Sequence, residues 1–115
     1  MNRVVYKICP RELWETAEAA GTFEGAPVDI ADGFIHFSTA KQVVETASRH
    51  FGGQDDLVLA AVRIDGLDAE QVRWECSRGG ELFPHLYGPL PLAAVDWVRP
   101  LPLGSDGKHV FSDLG

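Results

Sequence analysis

Cysteine is nearly missing from this sequence: Cys9 and Cys76 stand far apart, and neither has a CxxC partner. No zinc site or disulfide scaffold is therefore signalled. Two buried, reduced thiols are expected, in keeping with a cytoplasmic home. Cations are scarce too. Ten Lys and Arg stand against 17 Asp and Glu, giving a net charge of −7 with His neutral, and the cations form no run. General binding to DNA or anionic membranes is disfavoured, because phosphate surfaces attract clustered Lys and Arg. A pocket for one phosphate-bearing small molecule stays open, since it needs only one or two cations and some backbone N–H groups. No apolar run approaches the ~20 residues that span a bilayer. The N-terminal residues lack the apolar core of a signal peptide. GxGxxG, P-loop, GxSxG and HExxH patterns are all missing, so no Rossmann or Walker phosphate site, nucleophile elbow or zinc-protease helix is signalled. Repeats, low-complexity segments and linkers are absent as well.

What is present suits one domain with one real core. The chain has 115 residues, 45% of them hydrophobic, with three Trp, six Phe and two Tyr to fill the interior. Val4 to Cys9 is short and β-branched, a strand by type, and Pro10 with Glu12 opens a helix that Gly21 stops. Residues 22–32 contain Gly and Pro and read as a loop, a candidate ligand-facing lid. Gly33 to Ser38 reads as a strand with Phe34, His36 and Ser38 on one face and Ile35 and Phe37 on the other. Ser38 or Thr39 caps a second helix whose apolar stripe is Val43, Val44, Ala47 and Phe51. Leu57 to Ile64 is nearly all apolar, as in a central strand covered on both faces.

Val72 to Cys76 follows as a strand with Val72, Trp74 and Cys76 inward and Arg73 and Glu75 opposite. Leu82–Phe83 pairs briefly before Pro84, and Val95 to Val98 is the last strand, between Pro91 and Pro100. Residues 103–115 read as a loosely held tail that Val110 and Phe111 can dock. Helices early and strands late predict an α+β fold for residues 1–115 with two main helices.

Three features carry candidate chemistry. His36 and Ser38 put an imidazole and a hydroxyl side by side before a helix start, suiting a polar or anionic ligand. The plainer reading is a half-buried histidine bonded to a backbone carbonyl and a serine that only caps. Glu75 sits between apolar neighbours, where a carboxylate can stabilise a cation or act as a base; alternatively it is a surface partner of Arg73. In Pro84-His85-Leu86-Tyr87-Gly88-Pro89 the prolines and glycine hold His85 and Tyr87 rigidly, either for binding or as a structural turn. His50 reads as structural and His109 as exposed. With no i, i+4 His pair, no metal is expected, although a metal-assisted hydrolase using His36, His85 and Glu75 is an alternative. An interaction role through an apolar patch around Trp97 or Phe111 is another.

The run Val5-Tyr6-Lys7-Ile8 with Trp14, then Asp32 to Ser38, Val72 to Glu75 and Phe83 to Leu90, resembles the small bacterial domain-of-unknown-function 952 family over nearly the whole chain. That family looks like a compact member of the ADP-ribosyltransferase-like fold, a split β-sheet with an NAD cleft. The strand at Phe34 to Ser38 is similar to the His-containing strand of RNA 2′-phosphotransferases. The resemblance implies NAD as a substrate, or a non-catalytic module for a nucleotide or another anion. It implies Glu75 as the catalytic carboxylate, and His36 and Ser38 as groups that orient the ligand. Tyr6, Trp14, Thr39, Arg73, His85 and Tyr87 complete the expected set, although the family motif assigns no role to His85 or Tyr87.

Overall fold

A computed structural model describes residues 3–114. Strand β1 (Val4–Pro10) leads into helix α1 (Arg11–Ala20), then β2 (Thr22–Phe23), helix α2 (Pro27–Asp32) and β3 (Ile35–His36). Helix α3 (Ala40–Phe51) precedes β4 (Leu57–Arg63), β5 (Val72–Cys76), β6 (Leu82–Leu86), β7 (Leu90–Pro91) and β8 (Val95–Leu101). The class is α+β and every pairing is antiparallel. One sheet runs β1-β4-β8, a second β3-β6-β5, and β2 pairs with β7. Among the described residues the two larger sheets meet at one bridge, where Tyr6 N–H donates to Ser38 O (2.7 Å) and Ser38 N–H to Tyr6 O (2.9 Å).

The alternation of side chains builds the core. Leu57 to Val62 of β4 are all buried, as befits a strand between two neighbours with both faces covered. Val58, Ala60 and Val62 join Val5, Trp14, Phe23, Ile35, Phe37 and Leu86 in one cluster that draws on both sheets. Leu57, Leu59 and Ala61 join Tyr6, Ile8, Val43 and Ala47 in a second cluster against α3.

Several expectations change. Residues 22–32 are not a loop: β2 and α2 lie there, making three helices rather than two. Six residues are too few to show helical periodicity, so local chemistry sets α2. Pro27 stands in its first turn, Asp29 accepts the Ala26 N–H at 2.7 Å, and Gly33 closes it at φ 87°. Gly33 is thus the helix cap, and the regular strand begins at Ile35. Val44 leaves the apolar stripe of α3 and is exposed.

Strand β6 runs through Pro84, which pairs with Trp74 on one side. On the other side the Pro84 carbonyl accepts the Phe37 N–H at 3.0 Å. Proline has no N–H to return that bond, so the β3–β6 ladder stops there and the chain crosses to β1 at Ser38. Likewise β8 extends through Pro100, tolerated on an edge strand. Cys9 is buried but Cys76 is exposed. In the tail, Leu103 bridges His109, and Phe111 packs on the second cluster while Val110 is exposed. His109 is half-buried, its Nε2 2.7 Å from Gln54 O. Trp97 packs on Tyr6 with the Arg99 guanidinium over its ring. No helix among the described residues is long and apolar enough to cross a membrane.

A buried ion pair ties α2 to the sheets. Lys7 Nζ reaches Asp29 Oδ1 at 3.0 Å and Oδ2 at 2.9 Å, with both residues buried. Asp29 also accepts the His36 N–H at 3.1 Å. Gly25, at φ 121°, leaves room for this carboxylate, since a Cβ there would stand 2.8 Å from the Asp29 Cβ. Burial pushes the Asp29 carboxyl up, but the bond from His36 and the Lys7 ammonium outweigh it and bring the pKa to about 2. The folded value lies below the unfolded one, so the associated stability is present above pH ~4 and fades as pH falls toward 2.

Removing Lys7 strands a buried charge. Lys7→Met is expected to lower the unfolding free energy by about 3 kcal/mol or more, measured by urea denaturation at neutral pH. Asp29→Ala costs more, because the Ala26 and His36 N–H groups also lose their acceptor. Between pH 4 and 2, Asp29→Asn should flatten the acid-induced fall in melting temperature relative to the parent chain.

Candidate functional site

The outer face of the β3-β6-β5 sheet is polar because its side chains alternate with the core-facing Ile35, Trp74, Pro84 and Leu86. The register sets out rows across three strands. His36 pairs with His85 and His85 with Arg73. Glu75 pairs with Phe83. Phe34 lies at the far end against Tyr87, their ring centroids 5.1 Å apart.

Two carboxylate–imidazole pairs stand on this face. His36 Nδ1 lies 2.6 Å from Asp29 Oδ1, and its Nε2 lies 3.0 Å from Asp32 Oδ2. His85 Nδ1 lies 2.8 Å from Glu75 Oε1, and the Tyr87 hydroxyl donates to that same oxygen at 2.8 Å. These two bonds hold the Glu75 carboxyl below its ordinary range, and the same carboxylate raises the Tyr87 phenol. Phe34 joins the pairs: it stacks on His85 at 4.2 Å and tilts against His36 at 4.6 Å. The two imidazoles meet edge to face at 5.4 Å. The Arg73 guanidinium sits 5.0 Å above the Tyr87 ring.

A cleft of about 490 Å³ opens beside His36. Its polar lining is Tyr6, Lys7, Asp32, His36, Ser38, His50 and Ser77, and Ile8, Val28 and Phe51 make an apolar side. That volume falls in the range of small-molecule sites. The imidazole and hydroxyl expected together therefore share one hollow. Glu75 does not line it. It stands on β5, separated from β3 by β6, with its side chain partly exposed. Arg73, His85 and Tyr87 gather around Glu75 rather than at the cleft wall.

The remaining expected residues divide. The Tyr6 hydroxyl donates to Leu114 O at 3.1 Å, so this buried ring forms a wall. Ser38 Oγ bonds Thr46 Oγ1 at 2.9 Å, joining β3 to α3, and Thr39 rather than Ser38 is the N-cap residue of α3. The Thr39 N–H donates to Gln42 Oε1 at 3.0 Å. Trp14 is a correction: it is 2% exposed and stacks on Phe23 in the first cluster, within the core. An indole in a buried first helix is as useful to packing as to a ligand, and packing claims it here. His50, expected to be structural, is exposed at the cleft.

Lys7, Asp29 and Asp32 were missed. A lone lysine in the apolar strand Val4 to Cys9 signals a buried partner, and an acid two residues after Pro27 signals a helix start. Among the described residues no group of three or more His, Cys, Asp or Glu is arranged to hold a metal ion.

The comparisons with known proteins agree with this architecture. A crystal structure of protein CC0527 from Caulobacter crescentus is 48% identical, with a TM-score of 0.89 over 93% of each chain. A double mutant of that protein gives 47% and 0.88 over the same shares, and its solution structure gives 50% and 0.81 over 91% of this chain and 90% of that one. No curated protein matches. The family model described as "Protein of unknown function (DUF952)" matches residues 8–98. With most of the chain inside that match, this protein belongs to the DUF952 family, whose function is unknown.

Proposed function

We propose that this protein binds an NAD-like dinucleotide and breaks its nicotinamide–ribose bond, as an ADP-ribosyltransferase-like or glycohydrolase-like enzyme. In that step the C1′–N bond breaks, nicotinamide leaves with the electron pair, and water or an acceptor hydroxyl forms the new C1′–O bond and gives up its proton. The transition state is a ribosyl cation, so a fixed anion beside it lowers the barrier. Glu75 takes this role, with His36 and Ser38 orienting the ligand.

One observation carries the reading: two donors at 2.8 Å on one oxygen keep Glu75 ionised and pointed on the sheet face that borders the cleft. The local charge supports it. Glu75 suits the cationic nicotinamide end of the dinucleotide. The split antiparallel sheet and the family resemblance in Phe34 to Ser38 point the same way.

A second reading, a non-catalytic nucleotide-binding module, is favoured by a different observation. Both nitrogens of His36 and one oxygen of Glu75 already have protein partners, as in a preformed receptor. It predicts saturable binding without product.

Chromatography of nicotinamide released from NAD separates the two readings. For an enzyme, Glu75→Ala should cut turnover about a hundredfold or more while calorimetry still detects NAD binding, and His36→Ala should weaken that binding. Turnover in Glu75→Ala equal to the parent would remove Glu75 from the chemistry; no binding of any nucleotide would reject both readings. Separately, Tyr87→Phe takes away one donor from Glu75. Its carboxyl should then titrate at higher pH than in the parent, read by carbon NMR of the carboxyl.

A further inference from the structure

His36 holds two carboxylates of unequal standing. Asp29 is fully buried and fixed by Lys7, by two backbone N–H groups and by the ring itself. Asp32 is half-exposed, sits at the last residue of α2, and faces the cleft. Carboxylates at a helix C-terminus oppose the carbonyl dipoles gathered there, so the helix gains nothing from Asp32. Its contact with His36 Nε2 is what the position provides.

The chemistry of that contact is specific. A neutral imidazole has one N–H and can donate to one carboxylate; donation to both Asp29 and Asp32 is the work of the imidazolium. In that form Lys7 and His36 carry two positive charges against the two negative charges of Asp29 and Asp32, and the cluster is neutral. Moving Asp32 aside leaves a net charge of +1 and the Nε2 N–H of His36 free, with Ser38 in the same cleft lining. Those are the complements of a single oxyanion.

We propose that the Nε2 side of His36 is a receptor for a phosphate group of the ligand, and that Asp32 occupies it as an internal stand-in until the ligand displaces it. The identity of the ligand as a nucleotide rests on the proposed function above; the stand-in role of Asp32 rests on the four side chains and the cleft. The arrangement lets an acidic protein hold an unspent cation without collecting stray anions. It also sets a threshold, because a phosphate must outcompete a tethered carboxylate.

The test follows the ring resonances of His36, assigned by their loss in His36→Gln, as inorganic phosphate is added at constant ionic strength. Asp32→Ala should bind phosphate about tenfold more tightly than the parent, with the His36 signals moving saturably. Asp32→Asn, which keeps a side chain of the same size, should do likewise, so the test survives if the alanine variant unfolds. With binding read by calorimetry instead, adding His36→Gln to either variant should abolish phosphate binding. Equal phosphate affinity in the parent and both Asp32 variants, no response in any of them, or calorimetric phosphate binding that persists without His36 would each overturn the proposal. Nicotinamide release is read separately on the parent chain. If it occurs while the phosphate result fails, only the stand-in role falls; if the phosphate result holds without release, only the enzymatic reading falls.

Discussion

Four donor groups converge on the carboxylate of Asp29: the Lys7 ammonium, the His36 ring and the backbone N–H groups of Ala26 and His36. They come from three pieces of structure, namely β1, β3 and the entry to α2. A buried carboxylate must collect such partners or lose its charge, and a buried lysine must find an anion. The pair therefore dictates where α2 lies, how β3 approaches β1, and which way the His36 ring turns. The apolar clusters give the fold most of its stability in the ordinary way. They do not by themselves orient an imidazole, and Asp29 does.

Much of the site was legible because strands alternate. The faces of Phe34 to Ser38 and of Val72 to Cys76 follow from a period of two, and they put His36, Ser38, Arg73 and Glu75 on the same side once the strands pair. What alternation cannot reveal is register. That His36 stands beside His85 and not beside Tyr87 depends on where β6 starts, and Pro84 concealed the strand it sits in. Helix α2 was illegible for another reason. It is too short for a hydrophobic period and is built from its caps, Pro27 and Gly33, with Asp29 between them. With α2 went the recognition of Asp29 and Asp32, and so the second half of the site. Trp14 shows the opposite error, an aromatic residue of a shared motif that serves the core.

The two imidazoles bring the two halves of the site into one unit. Phe34 touches both rings and Tyr87 as well, while His85 reaches Glu75 and His36 reaches Asp29. A shift on one side is felt on the other through packed rings rather than through a continuous line of hydrogen bonds. This suits either reading of the function. A catalyst needs its carboxylate and its ligand-orienting groups held in constant relation, and a receptor needs the same rigidity to discriminate.

The seam between the sheets has a mechanical meaning. Among the described residues, Tyr6 and Ser38 supply the backbone bonds that join β1-β4-β8 to β3-β6-β5, and both side chains face the cleft. The molecule is bound like a book along one stitched crease, with the ligand-sized gap at its margin. Behind the crease both leaves rest on one shared apolar cluster, and the Lys7–Asp29 pair ties β1 to the segment that leads into β3, so the margin is braced from within.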